Sequence, residues 1–291
     1  MIVEGQGMNF WTRVRLPPNP LGGHMSVSKK RIVVKVGTST ITNESGNIDI
    51  RAIDHLCRAI AGVENLGYDL VLVSSGAIAV GANKMRLAQK PQEIKLKQAA
   101  AAVGQTELMH LYDKLFDEYN RMVGQILLDN EDIADPVRSQ NLKNTFDALL
   151  ENHIIPIVNE NDSVSHAEIE SEKKLFSDND MLSALVAVFC NASKLIIFSD
   201  IEGLYDGNPQ TDPDAKLISR VEYITDELKS VASGSGSNRG TGGMITKLEA
   251  AELATSHGID VLITNGKNPE RLYDIIDKKK VGTLFVAREN K

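Results

Sequence analysis

From Arg31 onward, short β-branched runs alternate with longer amphipathic segments. This rhythm favours one architecture, a parallel sheet covered by helices on both faces. The predicted strands are Arg31 to Gly37, Leu70 to Ser74, Val123 to Leu128, Ile154 to Asn159, Leu195 to Asp200, Val261 to Thr264 and Thr283 to Ala287. Several are apolar throughout, as strands buried on both faces should be. Between them, Leu108, Leu111, Tyr112, Leu115, Phe116 and Tyr119 fall on one helical face, and Leu142, Phe146, Leu149 and Leu150 turn another helix toward the core. A third helix is predicted to start near Asp180 and run through the apolar stretch to Ala192. A fourth covers Thr246 to His257, with Gly258 closing its C-terminal end.

The 291 residues are 42% hydrophobic and 24% charged, enough to bury a full core. The net charge of -7 gives no overall positive field for nucleic acid or anionic lipid. No apolar run approaches the roughly 18 residues of a membrane span, so a small-molecule partner is expected, with neither nucleic acid nor membrane. Cys57 and Cys190 stand far apart in apolar, helix-like stretches and read as buried thiols of a reducing cytoplasm. Met1 to His24 lack the apolar centre and cleavage site of a signal peptide. They read as a leader or expression remnant, with Met25 as the natural start. Residues 1–28 are expected to be disordered and 29–291 to form a single domain.

Several familiar sites are absent: no GxxxxGK[ST] loop, no GxGxxG after the first strand, no HExxH and no GxSxG. The six histidines are scattered, without metal-ligand spacing. What stands out is a set of polar residues at the predicted C-terminal ends of strands, where open parallel sheets bind ligands. Lys35, inside VVKVGTS, is costly to bury unless an anion meets it; the alternative is a lysine snorkelling from an edge strand. Ser74-Ser75-Gly76-Ala77 could bind a carboxylate or phosphate, or form an ordinary N-cap turn. Asn159-Glu160-Asn161-Asp162 offers acceptors for an ammonium group, or a solvated turn. Asp178-Asn179-Asp180 precedes an apolar helix, and capping explains one of the three residues. Ser199-Asp200, followed by Gly203 to Asp206 and Asn208-Pro209, could bound a nucleotide pocket.

Two polar segments interrupt the rhythm. Ser163 to Ser177 is a candidate substrate lid or hairpin. Ser233 to Gly243 is either a linker or a glycine-rich loop presenting backbone N–H groups to an anion. It leads into Thr246-Lys247, and a lysine in the first turn of a helix is unfavourable unless a polyphosphate sits there. Two lysines, glycine-rich backbone and scattered carboxylates without a histidine base suggest phosphoryl transfer to a carboxylate, which at a pKa of about 4 is already ionised at neutral pH.

Together the motifs VVKVGTS, VSSGAIAVG, QAAAAVGQ, GQILL, IPIVNEND, DNDMLSA, SDIEGLYDGNP and GTGGMITK, from about Lys30 to Ala287, resemble the amino acid kinase family, and within it the glutamate 5-kinase branch. The resemblance implies a three-layer α/β/α sandwich around a mainly parallel sheet of about eight strands. It implies ATP-dependent phosphorylation of the γ-carboxylate of L-glutamate, the first step of proline biosynthesis. Lys35 and Lys247 would stabilise the transferring phosphoryl group and Asp178 would orient them. Ser75, Asp162 and Asn179 would hold glutamate, with Asn159 and Asp180 nearby. Ser199, Asp200 and the run Thr241, Gly242, Gly243, Met244, Ile245, Thr246 and Lys247 would contact ATP together with Lys35. Mg²⁺ would be held chiefly by phosphate oxygens and water. The resemblance also implies L-proline as a feedback inhibitor, a homodimer or homotetramer, a glutamyl phosphate reductase as recipient, and a cytoplasmic location. Two departures stand out. The chain reaches Lys291 without the PUA domain of many bacterial members, and Glu170 to Ser177 is longer than usual, with Ser177 where glycine is common. Competing readings are a family member acting on another small carboxylic acid, a non-catalytic nucleotide or amino-acid sensor on the same fold, and a dehydrogenase, which the missing dinucleotide fingerprint disfavours.

Overall fold

The computed structural model describes residues 28–43, 46–164, 178–209, 211–234 and 243–288. Residues 1–27 of the expected leader, and most of the polar segments 163–177 and 233–243, lie outside that set. Among the described residues one sheet contains β1 (Ser28–Val36), β2 (Asp69–Ser74), β3 (Met122–Leu128), β4 (Ile154–Glu160), β5 (Ala192–Ser199), β6 (Arg220–Val221), β7 (Asp260–Asn265) and β8 (Thr283–Phe285). Their order is β3-β4-β2-β1-β5-β7-β8-β6. Only the β7–β8 pairing is antiparallel. Each of the seven predicted strands overlaps one of these. The two-residue β6 escapes prediction because so short a run carries no period.

The helices are α1 (Thr38–Ile41), α2 (Ile50–Asn65), α3 (Ala77–Lys84), α4 (Ile94–Asp117), α5 (Asn130–Ala134), α6 (Pro136–Glu151), α7 (Asn179–Phe189), α8 (Asp226–Gly234), α9 (Met244–Ser256) and α10 (Arg271–Ile276). Strand alternation sorts them into two layers. Val33, Val71 and Ile197 share one core with Phe146 of α6, Leu182 of α7 and Leu248 of α9. Ile32, Val34 and Leu72 share the other with Leu56 of α2, Tyr112 of α4 and Leu272 of α10. The result is the expected α/β/α sandwich.

In α4 the predicted face holds: Leu108, Tyr112 and Phe116 are buried one turn apart. Tyr119 lies past the end of the helix at Asp117, before Asn120 turns left-handed at φ 56°, but it still packs against the same core. Its hydroxyl also donates to Asp54 Oδ1 at 2.9 Å.

Toward the N-terminal end of β1, away from Lys35, Arg31 ties three elements together. Its guanidinium pairs with Asp69 at 3.5 Å and Asp147 at 3.4 Å, and donates to the Cys190 carbonyl at the C-cap of α7. A cation there meets the negative end of the helix. Arg31→Ala is expected to lower stability by about 2 kcal/mol. Urea unfolding should register this as a lower midpoint with an unchanged slope; an unchanged midpoint would show that the three contacts contribute nothing.

Candidate active site

From β1 the chain passes to the β2 side of the sheet, and only later crosses to β5 on the other flank of β1. The C-terminal ends of β1 and β5 therefore bound the crevice of a topological switch point. Lys35 is the penultimate residue of β1, and alternation places it on the same face as Val33, toward α7 and α9. Because β1 is hydrogen-bonded to β2 and β5, Lys35 does not snorkel from an edge strand.

Lys35 Nζ lies 2.6 Å from Asp180 Oδ1, and Lys247 Nζ lies 3.0 Å from Asp180 Oδ2. Thr246 Oγ1 donates to the same Oδ2 at 3.3 Å. Asp180 is 1% exposed and each lysine 7%. Burial by itself would raise the Asp180 carboxyl, but the ammonium groups of Lys35 and Lys247 overcome that and hold it below the ordinary aspartate value. One carboxylate between two ammonium groups leaves a net positive charge in a buried place, which suits a polyanion.

The expected role of Asp178 is corrected here. Its Oδ1 accepts from the backbone N–H groups of Asp180 and Met181, both at 3.1 Å, so it is the N-cap of α7. A capping side chain folds back over its own first turn. It is Asp180, two residues on, that reaches both lysines.

Ser75, Asn159 and Asn179 form a second polar cluster beside the first. Asn179 Nδ2 donates to Ser75 Oγ at 2.7 Å and to Asn159 Oδ1 at 3.0 Å. Asn159 Oδ1 also accepts from the Glu160 backbone at 2.9 Å, and Asn159 Nδ2 donates to Gln105 Oε1 at 3.0 Å. Gly76, after Ser75, adopts φ 101° and lets β2 turn sharply into α3. A cavity of about 150 Å³ opens alongside, walled by Ala77, Ala101, Gln105, Glu160, Asn161 and Asp162. Sequence reasoning gave Gln105 no role, because glutamine at the end of an alanine-rich helical run carries no chemical signal of its own.

Ser199 is buried at the end of β5 and donates to Asp200 Oδ1 at 3.1 Å, while Asp200 is exposed. Gly243 caps α9, and Met244, Ile245, Thr246 and Lys247 form its first turn; Thr241 and Gly242 lie outside the described residues. Among the described residues no helix is long and apolar enough to cross a membrane, and no group of three or more His, Cys, Asp or Glu side chains could hold a metal ion.

Comparison with known proteins identifies a family and a shared fold. A model of the amino acid kinase family matches residues 30–265. The chain is 53% identical over 260 residues to the glutamate 5-kinase of Clostridium perfringens, covering 89% of this chain and 96% of that one. It is 48% identical over 263 residues to the glutamate 5-kinase of Listeria innocua, covering 90% and 95%. Among solved structures, the carbamate kinase of Giardia lamblia bound to AMP-PNP superposes with a TM-score of 0.62 at 18% identity, covering 90% of this chain and all of that one (100%). The isopentenyl phosphate kinase of T. acidophilum gives 0.60 at 18% identity, covering 88% and 99%. These two share the fold.

Proposed function

The chain belongs to the amino acid kinase family, and on that premise we propose that it transfers the terminal phosphoryl group of ATP to the γ-carboxylate of L-glutamate, giving γ-glutamyl phosphate and ADP, the first step of proline biosynthesis. The observation that carries this reading is the convergence of two buried lysines on the buried Asp180 at the end of β1, beside a separate polar recess.

Glutamate supplies an already ionised nucleophile, so no general base is needed. An oxygen of its γ-carboxylate bonds to the γ-phosphorus while the bond to the bridging oxygen of ADP breaks, and negative charge spreads over the transferring group. Lys35 and Lys247 meet that charge, and Asp180 holds the two ammonium groups in place between transfers. Asn179, Ser75 and Asp162 hold glutamate, with Asn159 beside them. Ser199, Asp200 and the run from Thr241 to Lys247 hold ATP, which arrives as MgATP with the ion on phosphate oxygens and water. The same reading carries L-proline as feedback inhibitor, a homodimer or homotetramer, a glutamyl phosphate reductase as recipient, and a cytoplasmic setting without nucleic-acid or membrane partners.

Hydroxylamine trapping tests it directly, because an acyl phosphate is captured as a coloured hydroxamate. With MgATP, signal is expected for glutamate and not for aspartate or N-acetylglutamate. Signal with another acid alone would keep the transfer chemistry and move the acceptor. Silence with every acid would end the enzymatic reading.

A further inference from the structure

Three carboxamides stand in a row between α4 and the start of α7, and their polarity is not free to choose. We propose that Gln105 is a positioning residue for the acceptor amino acid, acting through Asn159 to fix which end of Asn179 faces the substrate. The inference rests on the acceptor reading given above.

An amide side chain carries an acceptor on one branch and a donor on the other, so a half-turn exchanges them at little steric cost. One fixed group decides the orientation of the whole row. The backbone N–H of Glu160 can only donate, and it lies 2.9 Å from Asn159 Oδ1, so the Asn159 oxygen must be on that side. The Asn159 nitrogen is then on the other side, 3.0 Å from Gln105, which must answer with its oxygen. In the opposite direction the Asn159 oxygen receives Asn179 Nδ2 at 3.0 Å, and the second proton of that nitrogen goes to Ser75 Oγ at 2.7 Å. Asn179 Oδ1 is therefore the outward end. It is buried and has no hydrogen-bond partner among the described residues.

A buried acceptor in that condition takes a donor from a ligand. An amino acid with two ionised carboxylates has one donor group, its ammonium. The row thus aims a neutral acceptor at the ammonium, and Gln105 is the anchor farthest from it. Asn159 is only 2% exposed. Without the Gln105 oxygen its nitrogen would be a buried, unpaired donor, and the easiest relief is rotation of the amide, which releases Asn179.

The test compares Gln105→Leu with Gln105→Glu, varying glutamate at saturating MgATP and then the reverse. Gln105→Leu is expected to raise the KM for glutamate about tenfold, with kcat and the KM for ATP within about twofold of the parent. Gln105→Glu keeps an oxygen for Asn159 and is expected to return the KM for glutamate to within about threefold. A purely structural role would instead lower the melting temperature and raise both KM values together. The proposal is overturned if Gln105→Leu leaves the KM for glutamate unchanged, if it raises both KM values alike, or if Gln105→Glu is as impaired as Gln105→Leu. Should Gln105→Leu not fold, Gln105→Met carries the same comparison. The parent enzyme, assayed alongside, separates two failures: no turnover of glutamate there ends the functional reading, whereas turnover with an indifferent Gln105→Leu ends this inference alone.

Discussion

Asp180→Asn is expected to lower kcat by about 10²–10³-fold and to destabilise the fold in the same stroke. The substitution is nearly isosteric, so packing is preserved and the change is electrostatic. In the parent, a carboxylate 1% exposed meets Lys35 Nζ at 2.6 Å and Lys247 Nζ at 3.0 Å. Neutralising it leaves two buried ammonium groups facing one another, and removing one partner from such a cluster costs about 3–5 kcal/mol. The lysines then separate, and the transition state loses the paired charges on which it relies. The pH dependence has a definite sign. The Asp180 carboxyl is held below the ordinary aspartate value, against the opposing pull of burial, by Lys35 and Lys247. Its contribution to stability is therefore fully present above the unfolded-state value near about 4, and is lost as pH falls through the lower native value. Asp180→Asn should remove that part of the acid-side loss. Single-turnover assays and urea midpoints between neutral and acidic pH would check both halves. Parent-like turnover in a folded variant would take Asp180 out of the site.

The alternation of apolar runs located seven strands, because strands buried on both faces have little freedom in composition. It also brought Lys35 to notice, since an ammonium group in such a strand demands a reason. What stayed hidden depends on which way a side chain leaves its helix. Asp178 and Asp180 are indistinguishable as letters, yet one closes over the first turn of α7 and the other reaches across to α9 and β1. The family resemblance drew attention to both residues alike, and the backbone path decides which partners each one meets. Tyr119 shows the converse limit. Its spacing continues the α4 pattern, but hydrophobic period does not say where a helix stops, and here the stop comes two residues earlier. Gln105 was given no role for a further reason: its partner Asn159 is 54 residues away in the chain.

Gly104→Ala tests the frame that holds the acceptor cluster, and two rules of opposite sign meet there. Gly104 lies inside α4, where helix propensity alone favours alanine over glycine by about 1 kcal/mol. The structure requires the reverse. A Cβ on Gly104 would stand 1.8 Å from the Ala77 carbonyl oxygen and 2.5 Å from the Gly81 nitrogen, while a Cβ on Gly81 would stand 1.7 Å from the Ala100 oxygen. These are backbone atoms of α3 and α4, which have no flexible side-chain end to swing aside. The helices would have to part, and overpacking of this kind costs about 3 kcal/mol. At about 2–4 °C per kcal/mol for a chain of this size, the melting temperature should fall by about 6–12 °C. The separation would also reach the site, because α3 begins directly after Ser75-Gly76 and α4 carries Gln105. The KM for glutamate should therefore rise, while the lysine–aspartate cluster on α7, α9 and β1 keeps its contacts. Gly243→Ala is the control for stability: among the described residues a Cβ there meets nothing within 4 Å at φ -71°, so its effect should stay within about 0.5 kcal/mol. If Gly104→Ala instead raised the melting temperature, propensity would have prevailed and the backbone-to-backbone contact of α3 with α4 would have to be abandoned.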